Sequence, residues 1–372
     1  MPNLKQTRLT MARYSRFTLV FIFIFLSVQA FCCTSVIISG NARADGRPVM
    51  YKHRDTGELN NRMQWFRGPE YCFIALVNSS AKEGEAWAGT NSAGFCIMNT
   101  ATYDLKDDSI PEEMMDQEGK FMYKALGVCA DQKDFEHFLD TLSKPYGVEA
   151  NFGIIDAHGG ASYYEVNNYS YRRFDVADEP GGYMVVTNFT RSGREKDRKG
   201  VDRWEKCKEI CAGLDMSTVG HKELFNSISR SGKPIQRNIS SAAIIFEGVS
   251  PGEDPLRTVA WTILGCPTTC IYIPLKVFTS DHIPAFMKEY RDGDNAQICS
   301  QALVIKGIYG FEKGCIPECQ EVEEFVDSKF KRWMNGPRYD KYVRKVYHKY
   351  KLMYTRKLPK VVHKLADVEK ND

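Results

Sequence analysis

Cys33 opens the run Cys33-Thr34-Ser35-Val36-Ile37-Ile38 and stands where a secretory leader would end. A thiol on a mature N-terminal residue lies beside its own α-amine, whose ordinary pKa of about 7.7–8 makes it a base at neutral pH. A nucleophile needs a nearby base, and here one residue could supply both. The same cysteine in mid-chain would be a small buried hydrophobe. Asn188 ends the apolar run Tyr183 to Thr187. A side-chain amide there can aim N–H donors at a developing oxyanion, where one donor contributes about 3–4 kcal/mol in the transition state. Its competing reading is a turn asparagine. The seven histidines are scattered. His158, in the Asp156-Ala157-His158-Gly159-Gly160 turn, comes nearest to serving a Cys-His pair. No Gly-rich phosphate loop and no Ser-centred nucleophile elbow appears.

The residues before Cys33 set the compartment. Lys5, Arg8, Arg13 and Arg16 form a basic segment, and Phe17 to Val28 is apolar. That run matches a leader's hydrophobic region and falls short of the roughly 20 residues that span a bilayer. Two cleavage sites fit. Val28-Gln29-Ala30 would leave Phe31 first, so that Phe31 and Cys32 are removed later by self-processing or a peptidase. Ala30-Phe31-Cys32 would leave Cys33 first. Gln29-Ala30-Phe31 fits a lipid-attachment signal poorly. The expectation is a secreted or periplasmic protein, with surface association left open and no stable membrane insertion after cleavage.

The 43% apolar and 12% aromatic composition is that of a globular chain, and a net charge of +3, part of it in the leader, argues for no polyanionic partner. Nucleic acid is not expected. Of twelve cysteines, Cys207/Cys211, Cys266/Cys270 and Cys315/Cys319 share C-x3-C spacing. No histidine lies close to any pair, so buried thiols or disulfides are expected rather than zinc.

Short apolar runs at Thr34–Ser39, Pro48–His53, Met63–Phe66, Tyr71–Val77, Glu85–Gly89 and Phe95–Thr100 predict strands, with a hairpin signal at Asp45-Gly46. Helical periodicity follows over Glu118–Val128 and Lys133–Leu142. A second strand group covers Asn151–Ile155, Ser162–Val166, Tyr171–Val176 and Tyr183–Thr187. Helices are expected over Arg194–Cys211 and Lys222–Ser229, then strands over Ala242–Phe246, Thr258–Leu264 and Ile271–Pro274. Strand groups separated by helix groups predict stacked layers of an α+β fold. From Lys329 the chain is basic and Tyr-rich, with Val343–Tyr354 patterned as an amphipathic helix. It either packs its tyrosines on the body or meets an anionic surface or partner.

Four segments carry a resemblance: CTSVIISGNARADGRPVMYKHRDT (Cys33 to Thr56), AGTNSAGFCIMNTAT (Ala88 to Thr102), NFGIIDAHGGASYYEV (Asn151 to Val166) and GYMVVTNF (Gly182 to Phe189). In order and spacing they resemble the N-terminal-nucleophile hydrolases of the choloylglycine hydrolase, penicillin V acylase and peptidase C45-like acyl-transferase group, over about Cys33 to Leu275. The resemblance implies a four-layer αββα sandwich with the nucleophile at the start of a central strand. It implies cleavage of a linear, non-peptide amide of a small acylated substrate, or transfer of its acyl group, through a Cys33 thioester, with no cofactor.

Residue by residue, Asp55 falls on the family's carboxylate that holds the α-amine, and Asn99 and Asn188 on its oxyanion donors. Lys52 stands where the family has Arg, and Arg54 is the alternative cation. In a regular strand Lys52 and Arg54 share a face and Asp55 lies on the other, so the strand must end or twist for Lys52 to meet Asp55. The family's late Arg has no match after Ser240-Ser241, which leaves Arg237 and Arg257 as candidates. The organisation expected is a leader and short pro-segment (1–32), the hydrolase domain (33–328) and a helical basic extension (329–372). The partner expected is the small-molecule amide, and a homo-oligomer is left open. Bile-acid conjugates, N-acyl amino acids, β-lactam side chains, acylated amines and dipeptides all stay open as substrates. The alternatives are an inactive binding protein on this scaffold and a cysteine dipeptidase of the same superfamily.

Overall fold

Short runs of largely buried residues build thirteen strands among the described residues, and all pair antiparallel in two sheets. The computed structural model describes residues 32–81, 84–106, 108–289, 295–311, 314–333 and 339–357. Residues 1–31, nearly all of the segment 1–32 where a leader is expected, and the end of the tail beyond Lys357 lie outside the described residues. No described helix is long and apolar enough to cross a membrane.

The first sheet has the order β10-β1-β2-β11-β12-β13. Its strands are β1 (Thr34–Ile38), β2 (Val49–Asp55), β10 (Tyr183–Val186), β11 (Ser240–Glu247), β12 (Val259–Leu264) and β13 (Ile273–Leu275). The second is a meander in chain order: β3 (Asn61–Arg67), β4 (Cys72–Asn78), β5 (Ala88–Asn91), β6 (Cys96–Ala101), β7 (Ala150–Ile155), β8 (Ala161–Val166) and β9 (Tyr171–Asp175). The sheets face each other where β1 meets β8 and β2 meets β7. Gly153 in β7 permits this approach: a Cβ there would lie 2.7 Å from Met98 Cε and 3.1 Å from Ile37 Cδ1 of the first sheet.

Helices cover the two outer faces. α1 (Glu118–Val128) and α2 (Gln132–Thr141) lie on the second sheet, where Phe95, Ile97, Phe121, Leu126, Phe135 and Phe152 share one core. The period of two is visible along β6, where Ile97 joins that core while Cys96 and Met98 join the core shared with the first sheet. On the first sheet lie α3 (Val201–Ala212) and the short α4 (His221–Leu224), with α5 (Gln297–Tyr309) against β12. α6 (Pro317–Trp333) packs on α7 (Tyr339–Leu352). The result is the αββα order that the resemblance implies.

Three expectations change in detail. The helix expected from Arg194 starts at Val201, because Gly200 adopts φ +74°, a left-handed conformation that interrupts a helix. The β1–β2 connection is a 3-10 turn (Gly40–Ala42) followed by a loop through Gly46 at φ +69°, rather than a tight two-residue hairpin. The boundary drawn at 328/329 falls inside α6. Tyr339, Tyr342 and Tyr350 of the basic tail are buried in the first sheet's core, and Tyr339 Oη donates to Pro274 O at 3.0 Å.

Candidate active site

The ladders around β1 place Cys33. Thr34 pairs with His53, so the preceding residue, Cys33, lies beside Arg54 of β2. On the other side Ser35 pairs with Val186. Continuing that register two residues past β10 brings Asn188 opposite Cys33. Cys33 is 5% exposed. Strand alternation puts its side chain on the face of Ser35, whose Oγ accepts from Tyr163 Oη of β8 at 3.0 Å. The thiol therefore points between the sheets.

Lys52 and Arg54 share that inter-sheet face. Lys52 Nζ crosses to the second sheet and donates to Trp87 O at 2.6 Å and Asn99 Oδ1 at 2.8 Å. With Oδ1 committed, Asn99 keeps its Nδ2 hydrogens as donors. Arg54 donates to Asn61 Oδ1 and, at 2.7 Å, to Asn78 Oδ1, with its guanidinium over Trp87 at 5.3 Å. Neither cation has a carboxylate among these partners. Burial pulls Lys52 down to about 8; a negative charge on Cys33 pulls it back up, and Arg54 pushes it down. Burial likewise lowers Arg54 to about 10, again opposed by Cys33. Both cations thus sense the charge on the thiol.

Asn188 is fully buried. Its Nδ2 donates to Ala101 O at 2.6 Å, and its Oδ1 accepts from Arg203 Nη2 at 2.7 Å. Arg203 Nη1 also donates to Cys33 O at 2.5 Å and Thr34 Oγ1 at 3.1 Å. The Asn151–Val166 segment secures the chain around Asn188. Asn151 Nδ2 donates to Thr187 O (3.4 Å) and Phe189 O (3.1 Å), while Glu165 accepts from the backbone N–H of Arg191 (2.5 Å) and Ser192 (3.2 Å). In the Ala88–Thr102 segment the two asparagines divide the work. Asn91 ties its hairpin to Leu126 O and Cys129 O at the end of α1, and Asn99 reaches the site.

Asp55 remains in β2 and does not meet Lys52. The strand runs on through Asp55, so its carboxylate takes the opposite face. There it accepts from Arg237 Nε (2.9 Å) and Ser240 Oγ (2.7 Å), and His53 Nε2 lies 3.1 Å away. Burial would raise this carboxyl; His53, Arg237 and Ser240 outweigh it and hold Asp55 below its usual range. Arg237 Nη2 also lies 3.5 Å from Cys32 O, and Cys32 N donates to Asp55 O at 3.2 Å. Of the two late arginines, Arg237 therefore joins the site. Arg257 is on the surface, 3.5 Å from Glu253. His158 is exposed in its turn.

Sequence reasoning missed Arg203 and His53. Arg203 is indistinguishable in sequence from the charged residues around it in α3. His53 had a signal in the i, i+2 spacing to Asp55 on one strand face. A cavity of about 70 Å³ lies beside the Asn188 segment, lined by Asn151, Glu165, Thr187 and Trp204 among others. A larger one of about 410 Å³, between segment 281–286 and α7, contains none of these site residues.

No family model matches the chain, and no curated protein does. Among solved structures it is similar to the Caenorhabditis elegans ortholog of N-acylethanolamine-hydrolyzing acid amidase (14% identity, 58% of this chain and 92% of that one, TM-score 0.45). It is also similar to a variant of the conjugated bile acid hydrolase from Clostridium perfringens (9%, 67% and 94%, TM-score 0.46). A third likeness is to penicillin V acylase from Agrobacterium tumefaciens (13%, 78% and 96%, TM-score 0.44).

Proposed function

We propose that this chain is an exported N-terminal-cysteine amidohydrolase, acting on a linear amide of a small acylated substrate or passing its acyl group to another amine. The observation that carries the reading is the position of Cys33: at the head of a central strand, beside Arg54 in one ladder and opposite Asn188 in the other. Export rests on the leader-like segment and is part of the proposal.

Once residues up to Cys32 are removed, Cys33 Sγ and its α-amine stand together. The amine takes the thiol proton, Sγ attacks the amide carbon, and the developing oxyanion takes N–H donors from Asn188 and Asn99. The amine returns the proton to the leaving nitrogen as the C–N bond breaks, which leaves a Cys33 thioester. Water, activated by the same amine, hydrolyses it to the acid, or an acceptor amine takes the acyl group. Lys52 and Arg54 favour the thiolate by charge. Asp55, beside the vacated Cys32 position and paired with Arg237, holds the new terminus.

The test is turnover of a panel of N-acyl p-nitroanilides. Cys33→Ala should abolish it and leave the fold intact, and Cys33→Ser should be slow, because an alkoxide is far harder to form than a thiolate near neutral pH. Wild-type turnover in Cys33→Ala would refute the reading.

A further inference from the structure

We infer that Arg203 is a positioning residue that, together with Ala101 O, which takes one Nδ2 hydrogen at 2.6 Å, holds the Asn188 carboxamide with its oxygen on the guanidinium and ties it to the backbone of the nucleophile; this rests on the proposed role of Cys33. One guanidinium spans both partners. Nη2 reaches Asn188 Oδ1 at 2.7 Å, and Nη1 reaches Cys33 O at 2.5 Å and Thr34 Oγ1 at 3.1 Å. The group is 2% exposed, and its partners among the described residues are neutral oxygens. A carboxamide can rotate to exchange its oxygen for its nitrogen. A cation on the oxygen end forbids that exchange, because the flipped amide would turn N–H groups toward N–H groups. It also polarises the amide so that Nδ2 becomes a stronger donor.

The chain makes room for this contact at Gly200. A Cβ there would lie 2.1 Å from Arg203 Nη2 and 2.8 Å from Cζ, and the residue has φ +74°. Gly200 O in turn accepts from Thr187 Oγ1 at 3.0 Å, next to Asn188. The glycine that delays the start of α3 thus lets the guanidinium lie flat across the helix entrance.

The experiment compares two reagents on the processed protein, its first residue established by mass spectrometry. p-Nitrophenyl acetate acylates Sγ through a tetrahedral oxyanion: the thiol proton passes to the amine, the S–C bond forms, and the ester C–O bond breaks to release p-nitrophenolate. Iodoacetamide alkylates the same sulfur by displacing iodide and forms no oxyanion. Arg203→Met should slow acylation about 10–100-fold, short of the ~10²–10³ for losing an oxyanion donor outright. Alkylation should change less than about threefold. In an Asn188→Ala background, Arg203→Met should cost almost nothing more, since residues acting through one another are not additive. Arg203→Lys should recover part of the loss, having charge without the fork. Should Arg203→Met not fold, Gly200→Ala displaces the guanidinium and should reproduce the selective slowing. Multiplicative losses, equal slowing with both reagents, or unchanged acylation in the folded variant would overturn the inference. A p-nitrophenolate burst that survives Cys33→Ala overturns the nucleophile and the inference together; a burst that needs Cys33 but ignores Arg203 overturns the inference alone.

Discussion

At the residue scale, the decisive fact about Lys52 is its company. Its ammonium is buried against Trp87 O and Asn99 Oδ1, and burial lowers it to about 8. If the charge serves the thiolate, kcat/KM should fall as pH rises past about 8, on the basic side of the limb set by the α-amine. Stability should move the other way. A lysine lowered in the folded state binds fewer protons there than when unfolded, so between about 8 and the ordinary 10.4 the native state gains stability with pH. Loss of turnover in that window would therefore not be unfolding. Lys52→Arg, which stays protonated, should move the basic limb upward in a pH–rate profile; an unmoved limb would remove Lys52 from the mechanism. The thiol, the paired asparagines and the two cations were legible as residue types. Which cation faces the thiol was legible only as strand parity, and both do.

At the element scale, β2 delivers two chemistries to two faces. Lys52 and Arg54 point between the sheets; His53 and Asp55 point toward Ser240 and Arg237. The strand neither ends early nor twists to bring Lys52 to Asp55, because β11 pairs along β2 as far as Asp55 and absorbs its irregularity in a bulge between Ser240 and Ala242. Asp55→Asn tests the second face. A depressed carboxyl contributes stability that is full above its unfolded pKa of about 3.9 and is lost as pH falls through the folded value. Breaking such a buried pair costs on the order of 3–5 kcal/mol. The variant should melt well below wild type at pH 7, and the gap should narrow below about pH 4; a constant gap would mean that the carboxylate is not the stabilising partner. Most strands were readable as short apolar runs, because each lies between two cores or layers and is buried on both faces. α5 and α6 were not read. α5, Gln-Ile-Cys-Ser-Gln-Ala-Leu-Val-Ile, is apolar nearly all round and displays no clean stripe, whereas α6 buries Cys319, Val322 and Val326 at helical spacing in a segment otherwise dominated by charge.

At the scale of the whole molecule, the basic Tyr-rich segment completes the sandwich. Tyr342 donates to Val326 O at 3.0 Å and, with Tyr339, Val343, Val346 and Tyr350, belongs to the core that contains Trp261 and Tyr272. The lysines between them occupy the outer face, and Lys349 lies 4.5 Å over Phe325. Tyr342→Ala should lower stability by about 3–5 kcal/mol, as for other large core aromatics, read as a drop in Tm; a change under about 0.5 kcal/mol would place the tail on the surface. The sandwich in turn positions β1 so that the residue before it, Cys33, enters the space between the sheets, where a new terminus would meet two cations and two amides. The central claim is that Cys33 is both the first residue and the nucleophile. Its most direct test is peptide mass spectrometry of the processed protein, quenched in acid after brief exposure to p-nitrophenyl acetate. The account predicts an N-terminal peptide that begins at Cys33 and carries one acetyl group, removable by hydroxylamine as a thioester. A fully active protein that begins at Phe31, or an acetyl group on any other residue, would contradict it.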